Sequence, residues 1–227
     1  MGLRKSFRYQ IQMLFPIKQN EINKLIPSVA TGKQFNSALG NPQKIFQRIM
    51  ISAIGGVITL LISQSQVTSQ FYSLWLVLGV VFLLYILWGP ILEASRKNSK
   101  FKSFSFSALV DGYISDVYVE DRVEIQQEQA NKDGRLEVLK KKRKWVVLDI
   151  EDEDGFIGNI SFPLQNKFNI LTKGMRINCV VFSNRKDFDR IQAISDAWCP
   201  EINLWVGTYP FLLRPAFEEF VNMRIFN

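Results

Sequence analysis

The 227-residue chain contains no histidine, so it lacks the side chain most often used as a general base near neutral pH and as a ligand for zinc or copper. Cysteine is almost as scarce. Cys179 and Cys199 are the only two, and their spacing is not the Cys-x-x-Cys of a redox pair or a zinc site. In a reducing compartment they read as buried, inert thiols. There is also no glycine-rich phosphate loop, no nucleophile elbow and no zinc signature. The acidic run Glu151-Asp152-Glu153-Asp154 lacks the spaced acids, central glycine and terminal glutamate of a calcium loop, and reads as a solvated hairpin turn. These absences describe a non-enzymatic chain with no cofactor, no metal and no evident small-molecule substrate.

The longest absence is of charge. Between Arg48 and Glu93 lie 44 residues without one ionisable acid or base. A bilayer crossing takes about 20 mostly apolar residues, each rising about 1.5 Å. The stretch is twice that length, and the polar centre Gln64-Ser65-Gln66-Val67-Thr68-Ser69-Gln70 divides it. A helix apolar all round needs apolar surroundings. The pattern therefore predicts a hairpin of two transmembrane helices over residues 41–95. The first begins at Asn41-Pro42, an N-cap followed by proline at the first helical position, and runs to Ser63, with Arg48 snorkelling to the headgroups. The second is one helix from Phe71 to Leu92, with Phe71, Tyr72 and Trp75 at one interface and Tyr85 and Trp88 at the other. Gly55-Gly56 and Gly79 offer a close helix–helix contact. No acid or base inside the spans is available to relay protons or hold an ion.

Charge also sets an orientation. Residues 1–48 hold eight basic side chains against Glu21 alone, so the whole formal excess of +7 sits before the hairpin. Arg96, Lys97, Lys100 and Lys102 follow it, and the connecting loop is uncharged. The positive-inside rule then places both termini in the cytoplasm or stroma. No nucleic-acid module accompanies the basic arm, so membrane lipid is the partner it suggests and nucleic acid is not. Arg4, Lys5 and Arg8 are candidate anionic-lipid contacts. Within the arm, residues 1–40, the stretch between Pro16 and Pro27 places Ile22, Leu25 and Ile26 on one helical face. It reads as a short amphipathic helix, on the membrane surface or docked on the soluble domain. Thr31-Gly32-Lys33 and Leu39-Gly40 read as turns.

Residues 96–227 read as a mainly-β domain. Short apolar runs separated by turn signals predict about six strands and a short terminal helix from Pro215 to Ile225, in a small barrel or a bent antiparallel sheet. Gln126 to Arg135 reads as a hairpin loop. Along the strand that follows, Lys140, Lys142 and Lys144 alternate onto one face. They are further candidate anionic-lipid contacts, the alternative being a solvated edge strand. Trp205, Tyr209, Phe211 and Phe217 are candidate partner contacts if exposed, and domain core if not.

Four segments carry a resemblance. Leu25-Ile26-Pro27-Ser28-Val29-Ala30-Thr31-Gly32, Leu87-Trp88-Gly89-Pro90, Asp111-Gly112-Tyr113-Ile114-Ser115-Asp116-Val117-Tyr118-Val119 and Asn203 through Leu212 resemble, in this order, a family of small cyanobacterial and plastid membrane proteins often labelled as a phosphate ABC transporter permease. The resemblance implies a thylakoid setting and no defined activity. Together the readings point to an assembly factor or accessory subunit of a larger photosynthetic membrane complex, acting by protein–protein docking. The alternative is an accessory subunit of a membrane transporter or permease, against which the uncharged spans count.

Overall fold

The computed structural model describes residues 15–65, 67–68, 70–130, 136–153 and 155–225, with backbone only across 124–130 and 136–141. The chain divides into two compact units, one of Asn23–Ser103 and one of Met1–Ile22 with Phe104–Asn227. A short helix, α1 (Gln19–Leu25), leads from the second into the first. Its Ile22, Leu25 and the following Ile26 are buried, which counts against the membrane-surface placement, one of the two left open for this helix.

The first unit is helical. Thr31 opens α2 (Gly32–Leu39), where a turn was expected. Its hydroxyl accepts the Gln34 N–H at 3.3 Å, and the Gln34 side-chain oxygen accepts the Thr31 N–H at 3.2 Å, a reciprocal capping box. Gly40, at φ 82°, ends α2. Asn41 then caps α3 (Pro42–Ser65) by accepting the Lys44 N–H at 3.0 Å. The expected second helix is broken into α4 (Tyr72–Leu83) and α5 (Tyr85–Lys102), which meet at a 72° bend. Gln34 on α2 and Asn98 on α5, both fully buried, exchange amide hydrogen bonds of 3.2 and 2.9 Å. Asn98 also donates to the Pro27 carbonyl at 2.9 Å. With each amide satisfied, the pair fixes one register of α2 on α5 instead of leaving buried polar atoms unpaired.

The second unit is a mostly antiparallel sheet. Its strands are β1 (Phe15–Ile17), β2 (Phe106–Ala130), β3 (Leu136–Glu151), β4 (Ile157–Pro163), β5 (Arg176–Ser183), β6 (Ala193–Cys199) and β7 (Leu204–Val206), followed by α6 (Arg214–Ile225). The order is β4-β3-β2-β5-β6-β7, with β1 also on β2. The sheet rolls up, because Ile194 of β6 lies against Gly158 of β4, where an added Cβ would come within 3.0 Å of its side chain. Those strands are separated by three others in the order, so the bent sheet is shaped like a small, incompletely closed barrel. Inside it pack Val110, Ile114, Leu148, Ile150, Phe162 and Ile177. Gly112 sits where β2 passes β3, and a Cβ there would lie 2.6 Å from the Glu151 carbonyl oxygen.

β2 and β3 outrun the sheet. β5 pairs with β2 only over Phe106–Tyr113, and β4 with β3 only over Trp145–Glu151. Beyond these limits the two strands continue as a two-stranded arm, paired through Ala130↔Leu136. The segment 126–130 is therefore strand, not the expected loop, because the cross-strand ladder continues through it. Residues 131–135 and Asp154 lie outside the described set. At the next turn, the Asp152 carboxylate accepts the Phe156 N–H at 2.7 Å, and Gly155 supplies a positive φ of 92°.

Candidate functional site

Within the helical unit, α3 is built with its polar side inward. Along α3, Arg48, Ser52, Thr59 and Ser63 are only 2–8 % exposed, while Phe46, Ile49, Met50, Ile51, Ile54, Val57, Ile58 and Leu61 are 43–61 % exposed. A helix in a water-soluble fold has the opposite arrangement. The buried stripe is of small residues because α4 packs on it closely. A Cβ on Gly56 would lie 2.5 Å from the Leu83 side chain, and one on Gly79 would lie 2.9 Å from Leu60, which is the glycine contact the sequence suggests. Among the described residues α3 alone is long and apolar enough to cross a bilayer, and α4 with α5 reach that length only as a bent pair.

The bend has a local cause. The Ser52 hydroxyl on α3 shares its proton between the carbonyls of Phe82 and Leu83. The Trp88 indole N–H donates to the Val81 carbonyl at 2.8 Å. These side chains take over acceptors that a continuous helix would give to its own backbone, and an inserted donor bends a helix. Six residues on, Pro90 has no N–H for the Ile86 carbonyl, which weakens the same segment.

Arg48 and Glu93 bound the uncharged stretch, and they meet. Arg48 Nη2 lies 2.6 Å from a Glu93 carboxylate oxygen and also donates to the Ala38 carbonyl at 3.0 Å. Lys97 holds the other Glu93 oxygen at 2.9 Å. Arg48 therefore does not snorkel. Its side chain is buried, and its Nη1 has no hydrogen-bond partner among the described residues. Beside this pair a groove of about 590 Å³ opens between α3 and α5, with Arg48, Tyr85, Trp88, Arg96 and Lys100 in its wall.

The aromatic candidates in the sheet unit are placed differently from their role as exposed anchors. Trp205, Tyr209 and Phe217 are buried, and Phe211 is half-buried against Tyr209 with ring centres 4.6 Å apart. Trp205 stacks on Trp198 at 6.4 Å, meets Phe217 edge-on at 5.5 Å and donates to Glu218 at 3.0 Å. It anchors α6 to the sheet, which is the core alternative. Arg4, Lys5 and Arg8 lie outside the described residues, as does the Lys140 side chain. Lys142 and Lys144 are exposed on the arm, opposite Val123 and Asp121. Both cysteines are buried, and burial pushes their thiols up to about 12.

Asp196 on β6 has no signal in the sequence. It lies at the back of a cleft of about 370 Å³ between β4 and β6, with Gly158, Ile194, Gly207 and Tyr209 in its wall. Burial pushes its carboxyl up to about 7, against the pull of the Leu212 N–H, which donates to Oδ1 at 3.0 Å. Oδ2 is buried without a partner among the described residues. The segment Asn203–Leu212 wraps this carboxyl. Asn203 turns in the left-handed region, and Gly207 passes so close that a Cβ would lie 2.9 Å from that of Asp196. Among the described residues no second carboxylate and no lysine or arginine lines the cleft.

The chain belongs to a family of unknown function, DUF8619, whose model matches residues 15–224. No curated protein and no solved structure matches it.

Proposed function

We propose that the chain is a non-enzymatic integral membrane protein that holds a β-domain at the cytoplasmic or stromal face and docks it on a larger membrane complex, as an assembly factor or accessory subunit. The observation that carries the reading is the inverted α3, with small and polar residues inside and large apolar ones outside. Its 24 residues make about 36 Å of helix, enough for a hydrocarbon core of about 30 Å. The return crossing uses the 12 residues of α4, about 18 Å, and completes its depth through the bend. The first turns of α5 with Tyr85 and Trp88 then lie at the interface, where such rings are favoured.

Docking falls to the projecting β2–β3 arm in place of the buried aromatics. Among the described residues both outer edges of this two-stranded ribbon are open beyond the sheet, and Val123 is 44 % exposed on it. Open edges are templates for a partner strand. The thylakoid and photosynthetic setting rests on the sequence resemblance.

The test is topology and company. In sealed vesicles with the cytoplasmic face outward, a membrane-impermeant maleimide should label Lys186→Cys at once and Val67→Cys only after permeabilisation. Immediate labelling of Val67→Cys would defeat the hairpin reading. Purification in mild detergent should then bring photosynthetic subunits in fixed ratio. Transport subunits would favour the permease-accessory alternative.

A further inference from the structure

We infer that the groove beside the Arg48–Glu93 pair is a binding site for the phosphate of an anionic phospholipid, an inference that rests on the membrane reading above. Four cations line it, Arg48, Arg96, Lys97 and Lys100, against the single carboxylate of Glu93. Glu93 is already engaged, by Arg48 at 2.6 Å and Lys97 at 2.9 Å. Arg96 and Lys100 have no carboxylate partner among the described residues and stand one helical turn apart on α5. Like charges at that spacing repel each other, and an anion between them removes the repulsion.

The second observation is the unsatisfied guanidinium. Arg48 is buried, and its Nη1 has no partner among the described residues. A buried N–H of a charged group left unbonded is destabilising, and Arg48 lies in the wall of this groove. Once a bound headgroup parts the groove wall enough to uncover Nη1, the planar fork of Arg48 gives Nη2 to Glu93 and Nη1 to a phosphate oxygen, a geometry that arginine provides and lysine does not.

The remaining wall selects a lipid over a free ion. Tyr85, Trp88 and Leu92 line the same groove. The Trp88 indole N–H is already committed to the Val81 carbonyl at 2.8 Å, so the ring presents carbon surface. A ligand suited to this wall is charged at one end and apolar at the other. Leu92 in that wall is exposed, as is Ile49, which follows Arg48 on α3, and acyl chains can lie along such apolar side chains. A headgroup bound here fixes the depth at which α5 leaves the bend.

The experiment compares the full chain with Arg96→Gln/Lys100→Gln after reconstitution into vesicles of phosphatidylglycerol and phosphatidylcholine. Both replaced side chains are exposed, so the fold is kept. Native mass spectrometry from mild detergent should show one phosphatidylglycerol retained by the wild type. Retention should fall at least tenfold in the variant and stay unchanged in the control Lys142→Gln/Lys144→Gln. Equal retention by wild type and variant, or equal retention of phosphatidylcholine, overturns the groove assignment. Displacement of the lipid by millimolar inorganic phosphate would make it a free-anion site and overturns the lipid assignment. A chain that inserts into no vesicle overturns the membrane reading and this proposal with it. One that inserts but retains lipid unselectively overturns the groove alone.

Discussion

Arg48 and Glu93, the last charge before and the first after 44 uncharged residues, are hydrogen-bonded to each other at 2.6 Å. The pair fastens the start of α3 to α5, and the Ala38 carbonyl and Lys97 complete it. The Arg48 side chain is buried while that of Glu93 is about one-third exposed, so the two partners contribute unequally.

Removing the partner of a buried charge is costlier than removing both charges. Glu93→Gln should destabilise the helical unit by about 3 kcal/mol. The double variant Arg48→Gln/Glu93→Gln should be less destabilised than Glu93→Gln. Thermal unfolding in detergent micelles measures both, and a double variant that is simply the sum of the singles would show that the pair is not coupled.

Contact between α3 and α4 depends on Gly56, where a Cβ would lie 2.5 Å from Leu83. Gly56→Val should cost about 1–3 kcal/mol by overpacking. Gly32, with nothing within 4 Å, accepts alanine without a clash, so Gly32→Ala serves as the control in the same unfolding assay. Equal effects at both sites would mean that the close helix contact is wrong.

Asp196 predicts a pH dependence. Its carboxyl titrates near 7 in the folded chain, raised from 3.8 by burial. The unfolded chain therefore loses this proton first, and the group costs stability progressively as pH rises from about 4 to about 7. Asp196→Asn keeps an oxygen for the Leu212 N–H and does not titrate. Its melting temperature relative to wild type should rise between pH 5 and pH 8, and a difference independent of pH would remove the carboxyl as the source.

Trp205 is a fold residue, so Trp205→Ala should destabilise the sheet unit by about 3–5 kcal/mol. Val123→Ser on the exposed arm should leave unfolding within about 0.5 kcal/mol of wild type and weaken capture of the partner complex. The opposite pattern would return docking to Trp205.

The helical start at Asn41-Pro42 and the glycine contact are legible because each depends on neighbours within a few residues or on one face of one helix. The second helix is not. Its break draws on Trp88 and Pro90 within the segment but also on Ser52, which lies some 30 residues away in sequence and reaches it only once α3 and α4 have packed. The Thr31–Gln34 spacing is a visible capping-box signal, but Gly32 between them also suggests a turn, and pairing with Asn98 settles it. Trp205 and Phe217 look the same in sequence whether they anchor a partner or a helix. Only the fold places Glu218 beside the Trp205 indole. Asp196 is a lone acid among apolar neighbours, and its cleft is formed by β4, more than thirty residues earlier.

The fastening of α3 to α5 also has a timing. Glu93 follows Arg48 by 45 residues, about 2–9 s of synthesis at 5–20 residues per second. Throughout that interval a nascent chain carries a guanidinium with no counter-charge in reach, at the threshold of its first apolar segment. The two segments are therefore expected to settle as a pair, with the first held back until the second emerges. A released chain ending at Leu92 should remain extractable by alkaline carbonate, whereas one ending at Asn98, which includes Glu93, should resist it. Equal resistance of the two would mean that the first segment settles on its own.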